Sequence, residues 1–238
     1  LEEKGFAVPR ADGTDTTALQ TGIGTDTTKL ETRPSNVLLT GMPNVRLATV
    51  YKVNRDKKEG TSFIGSNNYH ENYDYSIMAA GDQWNNNYMP GIAAVYGYNL
   101  VNVAHFDVLT NARRNFFDAP VLVRTLYYPA FTKDTLNAMP VQRNFFMVSV
   151  HDEDTNKDGY LTIRDLRRFY WFNGNGERQA PLVPTNYSVF KSEYDPGNDH
   201  MFVFAQLDEN GDGRIQDHEA VHVFWVDLKD PGRMGRVY

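Results

Sequence analysis

Asp154-Thr155-Asn156-Lys157-Asp158-Gly159 and Asp208-Glu209-Asn210-Gly211-Asp212-Gly213 each place an oxygen-bearing side chain at every second position and then a glycine. Side chains so spaced converge on one point, and the glycine allows the sharp turn that brings the following carbonyl to the same point. A hard cation such as Ca²⁺, which takes six to eight oxygen ligands, is the chemistry that fits. The first set is Asp154, Asn156, Asp158, the Tyr160 carbonyl, Thr162 directly or through water, and Asp165 at position 12. The second is Asp208, Asn210, Asp212, the Arg214 carbonyl, Gln216 or a water, and Glu219. Two bound calcium ions are therefore expected. Asp165 is shorter than Glu219, so the first site is expected to be the weaker and Asp212→Ala more damaging than Asp165→Ala. Asn, Asp and Gly also dominate ordinary turns, but two complete sets with an acid at position 12 outweigh that alternative.

These segments have the D-x-N-x-D-G form of an EF-hand loop, and their surroundings decide what kind of calcium protein carries them. Loops paired through helices should start about 35–40 residues apart, whereas positions 154 and 208 are 54 apart. The segments leading in, Phe145 to Val150 and Met201 to Phe204, are β-branched and aromatic, as are Phe169 to Phe172 and Val221 to Val226 leading out. Such residues favour strands. Ile163, Leu166 and Tyr170 fall at helical spacing instead, which leaves a helical EF-hand sensor as the alternative.

A repeat extends the strand reading along the chain. Val50 to Asn54, Val103 to Asp107, Phe169 to Asn173 and Val223 to Asp227 share one pattern. Each is followed by turn-forming residues and then a basic residue, most clearly Arg113, Arg178 and Arg233. These predict four hairpins. Each is preceded by another apolar run: Val37 to Leu39, Ile92 to Val95, Phe145 to Val150, and Met201 to Phe204. The first two runs are expected to reach their hairpins by tight links such as Gly41-Met42-Pro43-Asn44, and the last two through the calcium loops. The fold class predicted is all-β, a propeller-like array of about four repeated antiparallel units with two calcium loops inserted between strands. The Thr-rich residues 1–35, with Thr14-Asp15-Thr16-Thr17 recurring as Thr25-Asp26-Thr27-Thr28, read as an arm or linker, and residues 36–238 as the domain.

On these residues the chain resembles TolB-like β-propeller repeats, in the bacterial variants whose strand pairs are interrupted by D-x-N-x-D-G loops. Tyr194 to Phe204 looks like the S-P-D-G turn and inner strand of such a blade, and Val223 to Asp227 like the next strand. The resemblance covers roughly residues 36–238. It implies a periplasmic or secreted binding scaffold and supplies no catalytic residues.

Composition narrows the function classes. The net charge of −6 would fall to about −2 with two Ca²⁺ bound, so the acidity belongs to metal binding and nucleic acid is not an expected partner. There is no cysteine, hence no disulfide framework or thiolate site. No uninterrupted apolar stretch reaches the ~18 residues of a membrane span. Leu1 in place of Met suggests a removed leader or a trimmed chain, with any targeting signal out of view.

One enzyme pattern competes. His218-Glu219-Ala220-Val221-His222 matches H-E-x-x-H, which on a helix would set two histidines on one zinc ion. Glu219 is also position 12 of the second calcium loop, so a zinc-dependent hydrolase is the lesser alternative and no catalytic residue is assigned. His70, His105, His151 and His200 read as strand or loop residues. Arg113-Arg114 and Arg167-Arg168 read as solvated strand edges. A weak contact surface for a protein partner, or a glycan, is expected at Tyr69, Tyr73, Tyr75, Trp84 and Tyr88, where Tyr, Trp and Asn are interspersed.

Overall fold

The computed structural model describes residues 6–7, 30–55, 62–64, 68–69, 88–97 and 99–238. Among them are nineteen strands and no helix, and no helix long and apolar enough to cross a membrane. The strands begin with β1 (Phe6–Ala7), β2 (Thr32–Leu39), β3 (Val45–Arg55), β4 (Ser62–Ile64), β5 (Asn68–Tyr69) and β6 (Ile92–Tyr96). Next come β7 (Leu100–Asp107), β8 (Ala112–Asn115), β9 (Leu122–Pro129), β10 (Asp134–Leu136), β11 (Met139–Val141) and β12 (Phe146–His151). The chain ends with β13 (Tyr160–Leu161), β14 (Arg168–Phe172), β15 (Arg178–Pro181), β16 (Tyr187–Asp195), β17 (His200–Leu207), β18 (Val221–Asp227) and β19 (Met234–Arg236).

They form three main antiparallel sheets. The N-terminal sheet runs β2-β3-β7-β8 with β4 also on β3, the central one β15-β14-β12-β9-β6-β5, and the C-terminal one β16-β17-β18-β19. Two short ladders, β10-β11 and β1-β13, complete the pairing. All-β architecture is as expected, and no helix flanks either loop, which removes the basis of the helical alternative. The described sheets remain separate and open.

Side-chain alternation explains how they stack. Along β12, Phe146, Val148 and Val150 join Leu47, Tyr51 and Val103 of the N-terminal sheet in one core. Met147 and neighbouring Phe169 of β14 join Met201, Val203 and Phe224 of the C-terminal sheet in another. Successive residues of a strand point to opposite faces, so the central sheet is buried on both. Its middle strands β9, β12 and β14 accordingly show almost no alternation of burial, whereas β17 alternates buried Met201, Val203 and Ala205 with half-exposed neighbours. Phe172 stacks on Phe116 with centroids 4.2 Å apart.

All four predicted hairpins are present, as β3-β4, β7-β8, β14-β15 and β18-β19. The strand preceding each was also read correctly for the first, third and fourth, since β2 pairs β3, β12 pairs β14 and β17 pairs β18. The second differs. β6 pairs β5 and β9 rather than β7, so the chain crosses between sheets there. Gly97 permits this departure: its N–H donates to Arg124 O at 2.8 Å, and a Cβ there would lie 2.1 Å from Val123 O.

Two arginine readings separate. Arg113 and Arg114 are exposed on the edge strand β8, as expected. Arg167 and Arg168 are buried, contrary to the solvated-edge expectation. The Arg167 guanidinium donates to Ser149 Oγ at 3.0 Å, and Arg168 donates to Asp152 Oδ1 at 3.2 Å and Thr185 O at 3.1 Å. Arginine tolerates such burial because a planar fork can satisfy several acceptors at once.

A fully buried ion pair, without any signal in the sequence, joins the central and C-terminal sheets. Arg143, just before β12, grips Asp199, just before β17, through bonds of 2.8 and 2.9 Å. The side chains are 2% and 3% exposed. Arg143 also donates to the carbonyls of Pro90 and Leu228, and Tyr194 Oη donates to Asp199 at 3.1 Å. Removing one partner of such a pair strands the other charge in low dielectric. Arg143→Ala is expected to cost about 3–5 kcal/mol. In urea unfolding, Arg143→Met combined with Asp199→Asn should recover much of that loss, Asn being compatible with the φ of +60° at this position.

His105 generates a second prediction. Its Nε2 lies 3.0 Å from Gly174 O and must donate, since a carbonyl can only accept. Burial pushes this imidazole below its ordinary value of 6.5, with the Gly174 bond and Asp107 opposing. The unfolded chain therefore binds a proton below about pH 6.5 that the folded chain does not, and stability falls as pH drops from there toward the folded value. Melting temperatures between pH 7.5 and 5.5 should show this decline, and His105→Gln should flatten part of it.

Candidate metal centre

Each D-x-N-x-D-G loop closes a hairpin between neighbouring antiparallel strands. The first spans β12 to β14, from the Val150↔Arg168 pair, and the second β17 to β18, from the Gln206↔Val221 pair. The expectation that the loop stands where a turn would be is met by both.

The two loops share one internal hydrogen-bond pattern. The position-1 carboxylate accepts the amides of positions 5 and 6: Asp154 from Asp158 and Gly159 at 3.2 and 2.8 Å, and Asp208 from Asp212 and Gly213 at 3.1 and 2.9 Å. The position-3 amide oxygen accepts the amide of position 5, at 3.0 Å for Asn156 and 2.9 Å for Asn210. The position-5 carboxylate accepts the amide of position 7, Tyr160 or Arg214, at 2.9 Å in both. Position 12 closes the ring. Asp165 accepts the amides of Thr155 and Thr162 at 2.9 and 2.8 Å, and Glu219 those of Glu209 and Gln216 at 3.0 and 2.8 Å. Positions 4 and 6 have positive φ in both: Lys157 and Gly159, Gly211 and Gly213.

The sequence-predicted ligands thus gather into two loops, but unequally. Asp165 and Glu219 are buried, at 3% and 4% exposure, while Asp158 and Asp212 are exposed. Burial, and the nearby charge of Asp154, push the Asp165 carboxyl above its ordinary value, against the loop amides. A cation would relieve that cost. The Asn156 Nδ2 is buried without a hydrogen-bond partner. Thr162 Oγ1 accepts the Arg164 amide at 3.1 Å, and Tyr160 is exposed on β13, paired with Ala7 of β1. In the second loop Gln216 Nε2 donates to Asp212 Oδ2 at 2.8 Å. Among the described residues no three His, Cys, Asp or Glu side chains converge as a metal-holding group. The donor sets nevertheless fit calcium: each mixes carboxylates with an amide oxygen and a main-chain carbonyl on a loop with the required glycine.

Support lies outside the motif. His151 is fully buried, and burial together with Arg167 pushes its imidazole down to about 3. Its Nδ1 lies 2.9 Å from Asp165 O and donates to it, orienting the position-12 residue. Thr155 Oγ1 donates to Gly213 O at 2.7 Å, joining the loops directly. Position 2 is unconstrained in the motif, so nothing in the sequence marked Thr155.

The zinc alternative lacks its helix. His218 and Glu219 lie in the loop and His222 on β18, where its Nδ1 is 2.9 Å from Tyr187 Oη. Of the contact-surface residues, Tyr73, Tyr75 and Trp84 lie outside the described residues, and Tyr69 is placed on β5. Tyr88 is exposed and hydrogen-bonds Asp134, which together with burial pushes its hydroxyl up to about 12.

The EF hand family model matches residues 203–219, the end of β17 and the second loop. No curated protein matches. Among solved structures the chain is similar to a protein described as TolB from Agrobacterium tumefaciens, at 9% identity and TM-score 0.31, covering 88% of this chain and 68% of that one. It is also similar to a glycosyl hydrolase from Bacteroides ovatus, at 9% identity and TM-score 0.19, covering 99% and 97%. At these TM-scores neither likeness carries an argument about fold or activity.

The geometry sets an order for the metal-free protein, separate from the one expected with calcium bound. Asp165 is buried and holds several loop amides, whereas Asp212 is exposed. Without calcium, Asp165→Ala should cost roughly 2 kcal/mol by leaving those amides unpaired, and Asp212→Ala less than about 1. Chemical unfolding of both variants in chelator checks the order.

Proposed function

We propose that this protein binds two calcium ions, one per loop, and uses them structurally in a noncatalytic β-rich scaffold that engages another protein. The observation carrying this reading is the repetition of one hydrogen-bond network in two loops that each close a hairpin. The family-model match at 203–219 supports the second site independently.

In this reading calcium is not a switch. Sensor loops act by opening a helix pair and exposing an apolar groove, and no described helix flanks either loop. Bound ions would instead fix the ends of β12, β14, β17 and β18 in adjacent sheets. The stacked sheets are compatible with a propeller-like array, which remains part of the proposal. A periplasmic or secreted location suits such sites, because calcium loops of extracellular modules bind weakly, in the ~10⁻⁴–10⁻³ M range. The segment around Tyr69 to Tyr88 is the proposed contact surface.

Calorimetry and native mass spectrometry should find two calcium ions per chain; none, or one tightly held zinc, would sink this reading. Binding to the folded form alone stabilises it by about 2.7 kcal/mol per site at a hundredfold excess over Kd. Calcium should therefore raise the melting temperature and chelator lower it, with little change in circular dichroism of the folded protein. A large gain of helix on calcium addition would exclude the structural role.

A further inference from the structure

The loops belong to different sheets yet meet at one seam. Thr155, position 2 of the first loop, donates its amide to Asp165 Oδ1 at 2.9 Å. Its hydroxyl accepts the Leu166 amide at 2.9 Å and lies 2.7 Å from Gly213 O but 3.4 Å from Asp165 Oδ1. A hydroxyl has one proton to give, and the shorter contact takes it. Across the seam, the Gly213 amide donates to Asp208 Oδ2 at 2.9 Å. An unbroken chain thus runs from Asp208 through the Gly213 peptide and Thr155 to Asp165. Its two ends are the position-1 ligand of one proposed site and the position-12 ligand of the other.

The close approach at the seam is built on one glycine. A Cβ on Gly213 would sit 2.0 Å from Thr155 O and 2.8 Å from Asn156 N. Gly159, at the same position of the first loop, would meet nothing within 4 Å. Both have positive φ, so the loop turn explains both glycines, but only Gly213 also answers to the neighbouring loop.

We infer that the two calcium sites are thermodynamically coupled through the Thr155–Gly213 contact, so that filling the second loop raises the first loop's affinity. This rests on the calcium reading above. A cation that draws in Asp208 and Asp212 fixes the Gly213 peptide, which fixes Thr155, which holds Asp165 where the first site needs it. Linkage makes the effect reciprocal, and couplings of this kind change affinity 5- to 150-fold.

Tyr160 makes the first loop separately readable. It occupies position 7 there, where the second loop has Arg214, so terbium luminescence excited through tyrosine reports the first site. The probe is titrated into the full chain alongside calcium calorimetry. Glu219→Gln, which removes the second site's position-12 charge, should weaken terbium binding at the first loop about tenfold. In a Thr155→Val background the same change should weaken it less than twofold, while Thr155→Ser, which keeps the hydroxyl, retains the full effect. Gly213→Ala should weaken the first site, since a Cβ there meets Thr155 O at 2.0 Å. Two sites that fill independently in the unaltered protein, or an undiminished Glu219→Gln effect in Thr155→Val, would overturn the coupling alone. Absence of calcium and terbium binding at both loops would overturn the calcium reading with it.

Discussion

Burial of the central sheet on both faces is the constraint from which the rest of the architecture follows. β12 has no exposed residue, so its register against β9 and β14 cannot slip by one residue without carrying Ser149 away from Arg167 and exchanging the side chains that fill the two cores. Ser149 is tolerated in that interior because the Arg167 guanidinium reaches its hydroxyl, and buried polar groups persist only when so satisfied. The doubly packed strands give the first loop a rigid base. The second rests on β17 and β18, whose inner face packs against the same sheet.

The loops invert the usual balance of a turn. Ordinary hairpin loops settle their own hydrogen bonds, and these do so too, but by aiming carboxylates inward at their own amides. Asp154, Asp158 and Asp165 then share one small loop, and the raised carboxyl of Asp165 records the cost of burial and of Asp154's charge. Asp165 faces more than solvent, being tied to His151 through its carbonyl and to Thr155 through its carboxylate. A buried neutral histidine there avoids adding a titrating charge, whereas Arg167, Arg168 and Arg124 nearby supply fixed positive charge.

Local chemistry was legible in the sequence and long-range pairing was not. Position-specific residues announced the loops because a calcium loop is defined within a dozen residues, and the four hairpins were readable because their turns are local. The placement of β6 beside β9 rather than β7 was not, since the short link after β6 contains a glycine, Gly97, as the link after β2 contains Gly41, while sending the chain to another sheet. Arg143 and Asp199 carry no local signature. Arg167-Arg168 was misread for a related reason: a basic pair beside an aromatic strand looks like an edge, and only the acceptors Ser149, Asp152 and Thr185, brought from elsewhere, make its burial affordable. Thr155 shows the same limit at finer scale, as its partner Gly213 belongs to the other loop.

The two hairpins are held together at both ends, by contacts of opposite character. At one end Arg143 before β12 grips Asp199 before β17, an ion pair sealed from solvent and complete within the chain. At the other, the loops following β12 and β17 meet through one hydroxyl and one glycine carbonyl, amid carboxylates that repel one another until a cation arrives. The buried pair and the shared core lie outside the loops, so on the proposed reading the sheets stay docked whether or not metal is bound. In that reading calcium therefore acts on the far end alone: it pins the seam between two acidic loops, where the Thr155 hydroxyl meets the Gly213 carbonyl.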